Sequence, residues 1–151
     1  MKQIIHRTAG IVAFLCIASF FASTLFVEIF GSHEAVAGVK SLILTPGIPI
    51  LILAMVITGG SGLVLAKSRK GKLIEAKQKR MPFITANGML ILVPCAIFLD
   101  RFASAGSFDT TFYLVQTVEV IAGFINLTLM SMNIRDGFKL SGRFRKKSRS
   151  T

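Results

Sequence analysis

Four long stretches without charged side chains most constrain what this chain can fold into. Residues 11–27, 41–66 and 81–99 carry no charge, and residues 110–134 carry only Glu119. A helix of about 20 predominantly apolar residues crosses a bilayer core of about 30 Å. The pattern predicts an all-α membrane protein, an antiparallel four-helix transmembrane bundle. We place its spans at about residues 9–30, 42–65, 82–99 and 111–134.

The basic residues lie almost entirely on one side of these spans. Sixteen of the 18 Lys and Arg residues lie in the N-terminal segment, the second connection and the tail of residues 135–151, leaving Lys40 and Arg101 on the other side. Short loops rich in Lys and Arg stay in the cytoplasm. We therefore expect both termini in the cytoplasm and the chain in a bacterial inner membrane. The net charge of +11 predicts contact with anionic lipid headgroups, and no nucleic-acid motif accompanies it.

One alternative concerns the first span. The segment Ala35-Val36-Ala37 before Gly38 resembles a signal-peptidase site that follows a basic start and an apolar run. The apolar run of residues 9–30 is 22 residues long, whereas the core of a signal peptide has about 7–15. We expect the span to be retained. Cleavage would leave three spans and an N-terminus outside.

A stripe of polar and small residues follows one face of the last span. Its members recur at spacings of three and four, which places them on one side of a helix: Gln116, Glu119, Gly123, Asn126, Met130 and Asn133. Amides and a carboxylate facing lipid would be costly, so the stripe is expected to face the bundle or an aqueous cavity. Two roles remain open. The stripe holds helices together, or it forms a seam that handles protons, cations or a small polar ligand.

Glu119 is the titratable group of this seam. It lies about 12 Å into the membrane from the outer end of its span, and no Lys or Arg is expected at that depth. A proton, a metal, a partner subunit or water would then balance its charge, which makes it a candidate functional residue. We expect Gln116 and Asn126 to orient it and Glu28 to collect cations at the outer mouth. The structural alternative is a protonated Glu119 bonded to Gln or Ser.

The two histidines are the candidate ligands of a metal or haem. His33 with Glu28 and Glu34 could bind a divalent metal, although the spacing matches no metal motif. Residues 5–10, with the sequence IHRTAG, resemble the His-Arg-x-x-Gly start of the first helix in some bacterial membrane cytochromes and reductase-like proteins, which implies haem b. His6 and His33 are about 40 Å apart by helical rise, so they cannot hold one haem within a single chain. We predict no cofactor and keep haem as an alternative.

At the cytoplasmic end, most polar residues at the ends of the first, third and last spans are expected to be lipid-headgroup anchors, and the alternative is a single polar cluster that joins them. Its predicted members are His6, Arg7, Asn87, Asn133, Arg135 and Asp136, with Arg7 or Arg135 anchoring Asp136. The sequence contains no hydrolase triad, zinc-protease motif, Cys-x-x-Cys pair or dinucleotide fingerprint.

We therefore expect a small, non-enzymatic inner-membrane protein whose seam handles protons, cations or a small polar ligand. It would act as a homo-oligomer or as a subunit of a transport or respiratory assembly. The alternatives are a haem-carrying electron-transfer protein and a purely structural or assembly subunit.

Overall fold

The chain is an all-α bundle. The computed structural model describes residues 2–67 and 71–140. The basic residues Arg69 and Lys70 and the tail from residue 141 onward, which the sequence predicts to be cytoplasmic, lie outside the described residues. The helices are α1 (Lys2–Phe30), α2 (His33–Leu42), α3 (Ile48–Lys67), α4 (Lys72–Asn87), α5 (Val93–Ser104) and α6 (Thr110–Leu140). A kinked segment joins α2 to α3 (Ile43–Gly47), and a π-helical turn joins α4 to α5 (Gly88–Leu92).

Four helical stretches of the described chain are long and apolar enough to span a membrane. They are Gln3–Phe30, His33–Leu65, Lys72–Ser104 and Thr110–Leu140. The predicted four-helix bundle is thus confirmed, and each stretch extends beyond the span predicted from the sequence. The third stretch differs most, because it runs from Lys72 to Ser104 where residues 82–99 were predicted. The second stretch begins earlier than predicted, because α2 lies in what was predicted to be a loop. Ser32 caps this helix, and its hydroxyl accepts a hydrogen bond from the Ala35 backbone N–H at 3.3 Å, which satisfies one of the free donors of the first turn.

Both turns have a local cause in proline. Pro46 lacks an N–H donor, and its ring crowds the carbonyl four residues earlier. Thr45, which precedes it, leaves the helical region at φ −140° and ψ 114°, as expected for a residue before proline. The second turn, Gly88–Leu92, comes shortly before Pro94 and ends where the Val93 N–H bonds to the Gly88 carbonyl. Both turns interrupt helical stretches that are long enough to span a membrane.

Packing follows the pattern expected of a protein in lipid. Small side chains fill part of the interior, where Ala13 and Ala54 pack beside Ile17 and Leu51. α1 and α3 approach closely where the hypothetical Cβ of Gly62 would lie 3.2 Å from the His6 ring, so glycine permits this contact. The outward side chains are large and apolar, as required where lipid replaces water; they include Leu15, Phe26, Leu53, Leu90 and Phe124.

Candidate functional site

The predicted stripe of α6 faces the interior of the bundle. Asn126 has no exposed surface, and Gln116, Met130 and Asn133 are each less than a tenth exposed. Glu119 is slightly more open, with 12% of its side chain exposed. The periodicity of the sequence therefore predicted the buried face of this helix correctly, and every polar group on it lies within the bundle.

Glu119 has a cationic partner in its own chain. The Lys40 Nζ lies 2.5 Å from the Glu119 Oε2, and the Lys40 side chain is fully buried. The expectation that no Lys or Arg lies at the depth of Glu119 is therefore wrong. It failed because Lys40 was assigned to an outer loop, whereas it lies in α2, within the second membrane-spanning stretch.

The ion pair is held by side chains from several helices. Lys40 also donates to the Thr24 Oγ1 of α1 at 3.5 Å, and the Gln116 Nε2 donates to the Glu119 Oε2 at 3.4 Å. The prediction that Gln116 orients Glu119 agrees with this contact. A charge-assisted hydrogen bond in a medium without water is much stronger than the same bond at a surface.

A second carboxylate lies close to the pair. Glu28 of α1 is half-buried and interacts electrostatically with Lys40, Glu119 and His33. Its Oε1 is buried with no hydrogen-bond partner among the described residues. Cys95 of α5 lies within electrostatic range of both members of the pair. We call the group formed by Lys40, Glu119 and Glu28 the outer cluster. With both carboxylates ionised, it carries a formal charge of −1.

A small cavity adjoins the outer cluster. It measures ≈ 60 Å³ and lies between α1, α3, α5, α6 and the two turns Ile43–Gly47 and Gly88–Leu92. Its walls are apolar except for Thr24 and Glu119; Ile17, Leu51, Gly88 and Ala96 are among the others. The kink at Ile43–Gly47 and the π-helical turn at Gly88–Leu92 therefore line one cavity, and π-helical turns recur at functional sites.

Asn126 does not orient Glu119, contrary to the expectation from the sequence. Neither polar atom of its amide has a hydrogen-bond partner among the described residues. The amide lies instead beside Gly88 and Met55, as shown by the hypothetical Cβ of Gly88, which would be 3.7 Å from the Asn126 Nδ2 and 3.7 Å from the Met55 Cε. Seven residues separate Asn126 from Glu119, which is about 10 Å of helix.

An unpaired buried amide is expected to reduce stability. Replacing Asn126 with Leu, which has the same branching, should raise the free energy of unfolding by about 1–3 kcal/mol. Thermal unfolding in detergent, followed by the reaction of a fluorescent maleimide with the buried Cys95, measures the change. The matched control is Asn87→Leu, because the Asn87 Nδ2 donates to the Ala122 carbonyl at 2.8 Å; this variant should melt lower. Equal losses in both variants would contradict the prediction.

A second ion pair lies near the C-terminal end of α6. Asp136 is 1% exposed, and its carboxylate accepts from Arg80 at 2.7 Å and from Arg135 at 3.4 Å. Arg80 also donates to the Asn133 Oδ1 at 3.3 Å. Arg135 was predicted as an anchor of Asp136, but the shorter contact comes from Arg80 on α4. In the sequence, Arg80 is one of the basic residues that indicate orientation.

The other predicted cytoplasmic residues do not join this cluster. The Arg7 guanidinium lies 5.8 Å from the centre of the Phe138 ring and is not bonded to Asp136. The His6 Nδ1 is 3.0 Å from the Thr58 carbonyl oxygen, while Asn87 bonds to α6 at Ala122. The predicted single cluster is therefore divided into separate contacts, which join α1 to α3, α1 to α6 and α4 to α6.

His33 lies at the opposite end of the bundle from His6. Its ring is exposed and stacks on Phe108 with the ring centres 4.0 Å apart. Glu34 is also exposed. The described residues contain no group of three or more His, Cys, Asp or Glu side chains arranged to hold a metal ion, so the suggested metal site of His33, Glu28 and Glu34 does not form there.

Comparison with known proteins adds no relative. No family model, no curated protein and no solved structure matches the chain.

Proposed function

We propose that this chain is an integral membrane protein whose outer cluster handles protons. The observation that carries the proposal is the fully buried Lys40, which is paired with Glu119 and lies within electrostatic range of a second carboxylate, Glu28. One ammonium cannot balance two carboxylates. An uncompensated charge inside a membrane bundle is costly, and uptake of one proton removes it.

The ligand geometry favours a proton over a metal cation. Lys40 and Gln116 both bond to the Glu119 Oε2, so a metal would compete with an ammonium already in place. Hard cations need six or more oxygen ligands, and the cavity walls supply only Thr24 and Glu119. A proton needs one carboxylate oxygen and no coordination shell.

The pair can act as a two-state element. A proton that arrives on Glu119 removes the charge that holds Lys40, and Glu28 is then the nearby carboxylate for the released ammonium. Loss of the proton restores the Lys40–Glu119 bond. The turn Ile43–Gly47 follows Lys40 closely in the chain, and this irregular segment lets α2 shift relative to α3.

Orientation and assembly belong to the same proposal. The distribution of Lys and Arg supports both termini in the cytoplasm of a bacterial cell, which places the outer cluster nearer the external face of the inner membrane. The chain would work as a homo-oligomer or as a subunit of a transport or respiratory assembly. Accessibility of tags at both termini to protease in sealed vesicles tests the orientation.

Proton flux tests the function directly. We expect full-length protein in liposomes loaded with a pH-sensitive dye to pass protons when a potassium gradient with valinomycin sets the potential. Glu119→Gln should reduce the flux to that of empty liposomes. Glu34→Gln is the matched control, since Glu34 is exposed at the start of α2, and it should conduct like the parent protein. Equal flux in the parent and in Glu119→Gln would overturn the proposal.

A further inference from the structure

The cavity beside the outer cluster has the size of a very small molecule. Its volume of ≈ 60 Å³ exceeds the share of about 30 Å³ that one water has in the liquid and falls short of the about 150 Å³ that holds benzene. Its walls are mostly Ile, Leu, Met, Phe and Val. Such a surface prefers methyl groups to water, because an apolar cavity offers water too few hydrogen-bond partners.

One carboxylate oxygen of the pair has room for a further hydrogen bond. Among the described residues, the bonds to the Glu119 carboxylate come from Lys40 and Gln116, and both end on Oε2. Glu119 lines the cavity and keeps 12% of its side chain exposed. The Oε1 atom can therefore accept a hydrogen bond from a molecule in the cavity without displacing Lys40.

The charges around the cavity favour a cationic donor. Lys40 supplies one positive charge from α2, whereas Glu119 of α6 and Glu28 of α1 supply two negative charges. His33, at the start of α2, interacts electrostatically with Glu28. Cys95 of α5 lies within electrostatic range of both Lys40 and Glu119. A second ammonium would give two cations and two carboxylates. The net charge of the site would then be zero, which a low-dielectric environment favours.

We propose that this cavity binds a small alkylammonium ion, whose N–H donates to the Glu119 Oε1 while its alkyl group contacts the apolar walls. The inference deepens the proposed function, and rests on it, in that the ammonium would supply the same missing positive charge as the proton. The two cations would then exclude each other from the outer cluster.

A second groove borders the cavity and would give a lateral route to it if the Phe20 ring moved. A larger groove of ≈ 190 Å³ lies between α1 and α2, where Ser19 and Ser23 line it. The groove and the cavity share Phe20 and Ile43 as wall residues. Movement of the Phe20 ring would connect them. Gly47 permits the present position of that ring, because its hypothetical Cβ would lie 2.7 Å from the Phe20 Cζ.

Binding of radiolabelled methylammonium to the full-length chain in detergent tests the inference. We expect saturable binding that n-propylammonium displaces. Tetramethylammonium, which has the charge but no N–H donor, and n-propanol, which has a donor but no charge, should not displace it. Glu119→Gln should abolish binding. Failure of this variant to fold would not decide the question, so a second variant is needed.

Gly88→Ala supplies that variant. Its new methyl group would meet only ordinary contacts with Asn126 and Met55, and it would occupy part of the cavity that Gly88 lines. Alanine also favours a helix over glycine. The variant should melt no lower than the parent protein and lose methylammonium binding. Gly60→Ala, which meets nothing within 4 Å, is the matched control and should bind normally.

The outcomes separate the two proposals. The alkylammonium site is refuted if the folded parent protein shows no saturable methylammonium binding. It is also refuted if Gly88→Ala leaves that binding unchanged. If proton flux still depends on Glu119 in that case, the proton proposal stands alone. Methylammonium binding that needs Glu119 in a protein without proton flux would instead support the site and refute proton handling.

Discussion

Replacing both members of the Lys40–Glu119 pair with apolar residues is expected to leave the bundle at least as stable as the parent protein. Each single replacement should be destabilising, because it breaks the buried pair. Lys40→Met leaves Glu119 and Glu28 without a cation and should cost about 3–5 kcal/mol. Glu119→Gln should lie at the lower end of that range, because Glu28 remains as a carboxylate near Lys40. The double variant Lys40→Met/Glu119→Leu leaves no charge in the pair, and such replacements are neutral or stabilising by about 1–4 kcal/mol.

The order of melting temperatures measures this coupling. Thermal unfolding with the Cys95 thiol as reporter should rank both single variants below the parent and the double variant at or above it. Glu28 remains in the double variant, but it is half-buried near the end of α1 and can take a proton. A control double variant at exposed positions, Glu34→Gln/Arg101→Gln, should change little. Additive losses from the two single replacements would mean that Lys40 and Glu119 are not paired in the membrane.

Removal of Arg80 is expected to have the largest effect at the other end of α6. Asp136 is buried, and Arg80 gives it its shortest ionic contact, at 2.7 Å. Arg80→Ala leaves the carboxylate with a more distant cation and should cost about 3 kcal/mol, near the lower limit for breaking a buried pair. It also removes the bond to Asn133, so α4 and α6 should separate more readily at this end.

Arg135→Ala is the matched control for that replacement. Arg135 contacts the same carboxylate at 3.4 Å, but its side chain is 58% exposed. Exposed ion pairs contribute about 0–1 kcal/mol, so this variant should stay within that range of the parent protein. Urea or thermal unfolding of the two variants in one detergent makes the comparison. A larger loss for Arg135→Ala than for Arg80→Ala would show that the assigned anchor of Asp136 is wrong.

The helices and the buried face of α6 were predictable because they depend on local patterns. Uncharged stretches of bilayer length indicate spanning helices, and the spacing of three and four from Gln116 to Asn133 indicates one helix face. Both signals are carried by residues close together in the sequence. The pairing of Lys40 with Glu119 depends instead on two helices distant in the chain, and a search for uncharged windows ends at the first lysine.

A signal for Lys40 was nevertheless present. Val36, Lys40 and Ile43 are four and three residues apart, and all three are buried. This is the spacing of one helix face, so a helix that is capped by Ser32 and begins at His33 places Lys40 on its buried side. Arg80 was missed for a related reason. It was counted only as a cytoplasmic charge, although α4 begins at Lys72 and carries Arg80 as part of the helix that packs on α6.

The most direct test of the central claim is proton flux through the charge-free double variant. Lys40→Met/Glu119→Leu is expected to fold and to reconstitute into liposomes, so a lost activity cannot be attributed to unfolding. We predict flux equal to that of empty liposomes, with normal flux for Glu34→Gln/Arg101→Gln. A folded double variant that passes protons at the rate of the parent protein would contradict proton handling and would leave the Lys40–Glu119 pair as a structural contact.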